Sequence, residues 1–165
     1  MIAAFLEGLW QFFLPTHLLA AAALGLLIGQ GRRAIMLVPL ALGLAGGAFV
    51  IASAVRETPA ATALLAIAAL AGSLVVLAWA SPLLSAALAF AAGGAIALNS
   101  PPHALTIPAA IAMQVGAVVA ALGTVALVAS IASRAARPWH HIGVRVAASW
   151  IAASAILVLA LRLAR

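Results

Sequence analysis

Charged and polar residues in this chain are confined to short stretches. Between them run apolar segments of roughly 20 residues, the length a helix needs to cross about 30 Å of hydrocarbon. Of its 165 residues 68% are hydrophobic and only 6% charged, whereas a soluble domain carries about 25% charged residues. Lipid is therefore the expected solvent for most of the chain. The expected fold is all-α, a single polytopic transmembrane helical bundle of about six spanning helices with no separate aqueous domain.

The breaks between spans are set by Gly, Pro and Arg. Spans are expected near 9–29, 35–55, 60–80, 83–98, 107–133 and 145–163. They are separated by Gln30-Gly31-Arg32-Arg33, Arg56-Glu57-Thr58-Pro59, the tight Ser81-Pro82 break, Asn99-Ser100-Pro101-Pro102-His103, and a stretch from Arg134 to Arg145. The double proline removes two donors and restricts the residues before it, so 99–103 cannot be regular helix.

Six spans put both termini on one side. The opposite side then holds Arg32, Arg33, Arg134, Arg137 and Arg145, and the terminal side Arg56, Arg162 and Arg165 with Glu7 and Glu57. The arginine-rich side is expected to be cytoplasmic. A bacterial inner-membrane location with both termini periplasmic follows, and merging spans three and four at Ser81-Pro82 would invert everything after it. The net charge of +6 is dispersed over short loops and the C-terminus, which fits topology setting and not nucleic-acid binding. Without cysteine, disulfides and thiolate chemistry are excluded. The first apolar run lacks a basic leader segment and reads as a retained span.

Small residues fill the helices. Gly43-Leu44-Ala45-Gly46-Gly47 has small-xxx-small spacing. Such residues let backbones approach in lipid, either within the bundle or across a face shared with a second copy or another membrane subunit. The expected partners are thus the lipid bilayer and, through such faces, a homo-oligomer or membrane complex.

Polar residues inside apolar runs are costly and point to function. His17 stands out, two residues after Pro15 and beside Thr16. Pro15 frees a carbonyl about four residues earlier, near Gln11, so the local backbone is expected to be irregular and buried in protein. The histidine either donates to a carbonyl or serves as a ligand or proton relay. His103 falls on the same expected side, and imidazole from two helices suits nickel, cobalt, copper or zinc. Asn99 could join if a turn forms there. Glu7, about 15 Å from His17 along a continuous helix, would act as an entry group. Gln114 is the other polar group within a span. Trp10, Trp139, His140, His141 and Trp150 read as interfacial anchors. Leu14-Pro15-Thr16-His17-Leu18-Leu19 is echoed by Ser100-Pro101-Pro102-His103-Ala104-Leu105, a hint of parallel repeats.

The run His17-Leu18-Leu19-Ala20, then Gly25-Leu26-Leu27, Gln30, Gly31, Arg33 and Leu37-Val38-Pro39-Leu40-Ala41, resembles the opening of the HupE/UreJ family. These small membrane proteins are associated with hydrogenase and urease maturation and regarded as nickel or cobalt permeases. The likeness covers about the first 50 residues well, and the remainder in outline. The family's first-span His-Pro and Gly-x-Asp-His stand here as Trp10-Gln11 and Leu14-Pro15-Thr16-His17, so the chain resembles a divergent member that has kept one histidine and lost the acid. The resemblance implies a transition-metal permease or metal-handling protein, for nickel, cobalt or, with the acid gone, copper. His17 and His103 are the expected metal ligands, with Thr16, Asn99, Gln114 and Glu7 as secondary polar groups.

Two other readings stand beside it. One is a non-catalytic structural or assembly subunit of a larger membrane complex. The other is a haem-binding subunit with His17 and His103 as axial ligands. No enzyme is expected: there is no cluster of acids, no serine–histidine–acid arrangement and no phosphate loop. No cofactor is specified beyond a possible bound transition metal.

Overall fold

A computed structural model of the chain describes residues 1–31, 34–53, 60–78, 81–100, 102, 106–134 and 138–164. Seven α-helices run through them in order: α1 Ile2–Phe12, α2 Pro15–Gly31, α3 Leu37–Ser53 after a 3₁₀ turn at Ala34–Met36, α4 Ala60–Leu77, α5 Pro82–Leu98, α6 Ile107–Ser133 and α7 Pro138–Leu163. The described residues contain no strand. The all-α helical bundle is as expected.

Helix α2 lies at the centre. It packs against α4 and α6 and also touches α5 and α7. Around it α1 lies on α6, α3 on α5 and α4 on α7. The core joins Phe12, Leu24, Leu27, Leu40, Leu44, Leu65, Val75, Ile96 and Val125 to a large set of buried alanines. Large apolar side chains also cover the outside, among them Trp10, Phe49, Leu70, Leu83, Ile107 and Trp150. An apolar exterior over an apolar core is what a helical bundle dissolved in lipid presents.

Backbones meet directly at two helix pairs. In α3 and α5, a Cβ at Gly43 would overlap the Phe90 carbonyl, and one at Gly93 would overlap the Leu40 carbonyl. In α1 and α6, a Cβ at Gly8 would overlap the Met113 carbonyl, and one at Gly116 the Phe5 carbonyl. Such close approach maximises dispersion between helices where no hydrophobic drive separates them from lipid. The small-xxx-small pair Gly43 and Gly47 thus packs within the chain, against α5, while Gly46 faces open space. A side-chain bond adds to the packing of α2 on α4: Gln30 Nε2 donates to the Val75 carbonyl at 3.2 Å. Gln30 was expected in a loop; α2 carries it and runs on through Gly31.

The first expected span, 9–29, is corrected. The chain is helical from Ile2, breaks at Phe13-Leu14, and starts again at Pro15 with a bend of 73°. Proline has no N–H to give the Gln11 carbonyl and its ring crowds that carbonyl, but it suits the first turn of a new helix. The last expected span, 145–163, begins earlier, at Pro138. There too proline opens the helix, and nothing between Trp139 and Arg145 breaks it.

The Ser81-Pro82 break is present, with α4 ending at Leu77 and α5 opening at Pro82. Ala78 beside it has φ 54°, in the left-handed region. Among the described residues, two helices are long and apolar enough to cross a membrane, Ile107–Ser133 and Trp139–Leu163, or three if α1 and α2 form one bent span. Six were expected over the whole chain, of which the described residues show these two to three. The described parts of the other apolar helices, Leu37–Val50, Ala61–Leu77 and Pro82–Leu98, are shorter. A 17-residue helix rises only about 25 Å, short of about 30 Å of hydrocarbon.

Candidate functional site

The break between α1 and α2 puts His17 in the first turn of α2, inside the bundle. Its side chain is 0% exposed. The last residue of α1, Phe12, is equally buried and stacks on the imidazole, with ring centroids 5.8 Å apart and planes 17° from parallel. This stack needs the bend, which folds the end of α1 over the start of α2.

From the other side comes the end of α5. Asn99 follows Leu98 as the cap of α5, and its N–H returns to the Ala95 carbonyl. Its side-chain Nδ2 lies 2.9 Å from His17 Nε2. In this orientation the amide donates and Nε2 accepts, which places the ring proton on Nδ1. Nδ1 is buried. The backbone carbonyls of Phe12 and Gln11 lie beside the ring, but neither meets Nδ1 in a well-formed hydrogen bond. Turning the Asn99 amide over would present Oδ1 instead and exchange a donor for an acceptor.

Ser100 is next along the chain. Its N–H donates to the Ala97 carbonyl at 3.0 Å, its side chain is 2% exposed, and its Oγ has no hydrogen-bond partner. Buried polar atoms are nearly always paired, so such a hydroxyl calls for an explanation.

Of the residues expected to form the site, the fold brings together His17 and Asn99. Thr16 is half-buried beside His17 in sequence. Gln114 lies on α6, half-buried, with a buried Nε2 that makes no hydrogen bond. The residue before it, Met113, abuts Gly8 of α1. Glu7 is exposed on α1, and the bend separates it from His17, so no continuous helix connects them. His103 lies outside the described residues.

Sequence reasoning missed Phe12 and Ser100. A signal existed for each: an aromatic pair ahead of Pro15, and a serine ahead of Pro101-Pro102.

Chemically, the contact offers one imidazole and one amide, with backbone carbonyls beside the ring. Among the described residues no three His, Cys, Asp or Glu side chains converge. Comparison with family models, with curated proteins and with solved structures finds no match to this chain.

Proposed function

We propose that this helical membrane protein is a permease or handling protein for a transition-metal ion of the nickel, cobalt or copper class, with His17 as its central ligand. One observation carries the reading: a fully buried histidine at a broken helix, with one ring nitrogen tied to Asn99 from a distant helix. Burying polar groups in a lipid-solvated bundle is costly and marks a functional position. Broken helices in membranes are tolerated where they line a binding site.

Imidazole nitrogen selects this class of ion over magnesium and calcium. An ion at His17 would draw on Nε2, with the Asn99 amide turned to offer Oδ1. His103, four residues beyond Asn99, would be an outer ligand; Thr16 and Gln114 would be secondary polar groups and Glu7 an entry group. With no carboxylate in the pocket, the hold on the ion would be weak. A permeation site needs such a hold, because binding must allow both entry and release. No energy-coupling motif is apparent in the sequence, so movement would be passive or driven by a partner. In this reading the side bearing Arg134 and Arg145 faces the cytoplasm of a bacterium, and both termini the periplasm.

The test is uptake of nickel, cobalt and copper into vesicles reconstituted with the purified protein. His17→Ala should abolish uptake while helical content is kept. Full uptake by a folded His17→Ala protein would overturn the proposal. Elemental analysis of the wild type and of a His17→Ala, His103→Ala double variant measures the same site without transport. A Soret band in the purified protein would instead favour a haem-binding role.

A further inference from the structure

We propose that α1 is an interfacial helix. It lies along the boundary between headgroups and acyl chains and does not cross the bilayer, which leaves α2 to cross alone. The partner of its outer face is the lipid boundary itself. This placement does not depend on what His17 binds.

Length sets the geometry. The 11 residues of α1 make about 16 Å of helix, about half the hydrocarbon thickness. The 17 residues of α2 already rise about 25 Å. Arg32 and Arg33 follow it directly in the sequence, as expected where a span reaches the interface. A crossing α2 therefore leaves little thickness for α1. The bend of 73° sets α1 nearly perpendicular to α2. A helix nearly perpendicular to a neighbour that crosses the membrane runs close to the membrane plane.

The faces of α1 fit that placement. At about 100° per residue its side chains fall into three sectors roughly 120° apart. One holds Gly8 and Phe12, both buried, with Gly8 against the Met113 backbone of α6. The second holds Ile2, Leu6 and Trp10, all large, apolar and exposed. The third holds Glu7 and Gln11, with Glu7 exposed. In a helix that crossed, the outer surface would meet acyl chains throughout, and Glu7 at its middle would be a charge in hydrocarbon, which is costly. A helix along the boundary meets protein on one side, acyl chains on the second, and headgroups with water on the third. The three sectors match these three surroundings. Trp10 belongs at that level as well.

Two further observations name the partner. The apolar sector of α1 continues the apolar exterior of the bundle, the surface that lipid covers. Glu7 is the sole charged side chain of α1, so anionic headgroups add no attraction. Its complement is the ammonium group of a zwitterionic headgroup.

The chain has no cysteine, so single cysteines can carry a nitroxide label without background. Ile2→Cys, Leu6→Cys, Glu7→Cys and Trp10→Cys are made in the full chain and reconstituted into phosphatidylcholine vesicles. Relaxation by oxygen, which concentrates among acyl chains, and by water-soluble chromium oxalate gives each label's depth. Along an interfacial α1 the labels at Ile2 and Trp10 should differ in depth by about 4 Å, whereas a crossing helix gives about 12 Å. Chromium oxalate should reach the label at Glu7, and oxygen the label at Leu6. A depth difference near the larger value, or a Glu7 label as shielded from chromium oxalate as the Leu6 label, would overturn the proposal.

Should the labelled variants fail to fold, the native Trp10 gives a second reading. Its fluorescence is the difference between wild type and Trp10→Phe. Phosphatidylcholine brominated near the headgroup should quench it more than lipid brominated near the chain end. The reverse order would place Trp10 deep in the bilayer and overturn the proposal.

Discussion

The amide of Asn99 reaches the imidazole of His17 at 2.9 Å across 82 positions of sequence. It ties the end of α5 to the start of α2, two helices that otherwise make only modest contact. Hydrogen bonds between membrane helices contribute about 0.6 kcal/mol on average, so this one is not expected to dominate stability. Its effect is to hold the ring of His17 in one orientation.

Replacing that amide tests the tie. Asn99→Ala should lower stability by about 1 kcal/mol, since it leaves Nε2 without its partner. In a double-mutant cycle with His17→Ala the coupling should be about 0.5–1.5 kcal/mol. Thermal unfolding in detergent reads both values, and a coupling of zero would remove the contact from the account.

Asn99→Asp supplies at this site the carboxylate that the resembling family carries elsewhere. If the pocket holds a metal, nickel should bind on the order of tenfold more tightly, equal to about 1.4 kcal/mol. Release should slow in proportion, so uptake at saturating nickel should fall. Calorimetric titration and initial uptake rates test the two halves separately.

The glycine contacts predict opposite outcomes for one chemical change. Gly93→Ala puts a methyl group into the Leu40 carbonyl. Backbone cannot move aside as a flexible side chain can, so α3 and α5 must part, at a cost of about 1–3 kcal/mol. Gly46→Ala points into open space and should be neutral, or stabilising by up to about 1 kcal/mol through helix propensity. Equal melting temperatures for the two variants would contradict the α3–α5 packing.

Ala78 tests a local strain. Its φ of 54° costs a residue with a Cβ roughly 1 kcal/mol. Ala78→Gly removes that cost but adds roughly 0.5 kcal/mol of unfolded-state entropy, leaving a net gain of about 0.5 kcal/mol. Ala78→Val should lose more than 1 kcal/mol, because branched residues tolerate this region least. The order glycine, alanine, valine in melting temperature is the expected result.

Pro15 should set the bend. Between labels at Ile2 and Gly31 the bent pair predicts about 34 Å, and a straight helix about 44 Å. Pro15→Ala restores the missing donor, so its distance distribution should extend toward the straight value and uptake should fall. An unchanged distribution would show that packing of Gly8 on the Met113 backbone holds the bend instead.

How much of this was legible in the sequence depends on the range of the force involved. The helical bundle follows from apolar runs and their breaks, which are local. Ser81-Pro82 and the double proline after Ser100 mark real helix boundaries for the same reason. Pro15 announced an irregular backbone beside His17, and the structure has one. The direction of the bend was not legible, because it depends on Gly8 of α1 meeting Met113, and Gly116 of α6 meeting Phe5, a contact far apart in the chain. Asn99 was a candidate by its nearness to His103, yet its observed partner is His17 on another helix, a tertiary contact that periodicity does not encode. Ser100 was marked in the sequence by its place ahead of Pro101-Pro102, but its burial is a tertiary property that this placement does not encode. Six membrane-length spans were expected from apolar composition, and the described residues contain two to three helices of that length.

The bend also sets a depth. An α1 of 11 residues is about 16 Å long. If α2 runs along the membrane normal, an α1 tilted 73° from it advances only about 5 Å along that normal. Glu7 would then lie at nearly the same level of the bilayer as His17, displaced sideways. Approach to the histidine from that carboxylate would run laterally across the bundle, along the α1–α6 seam, and not down the length of a channel.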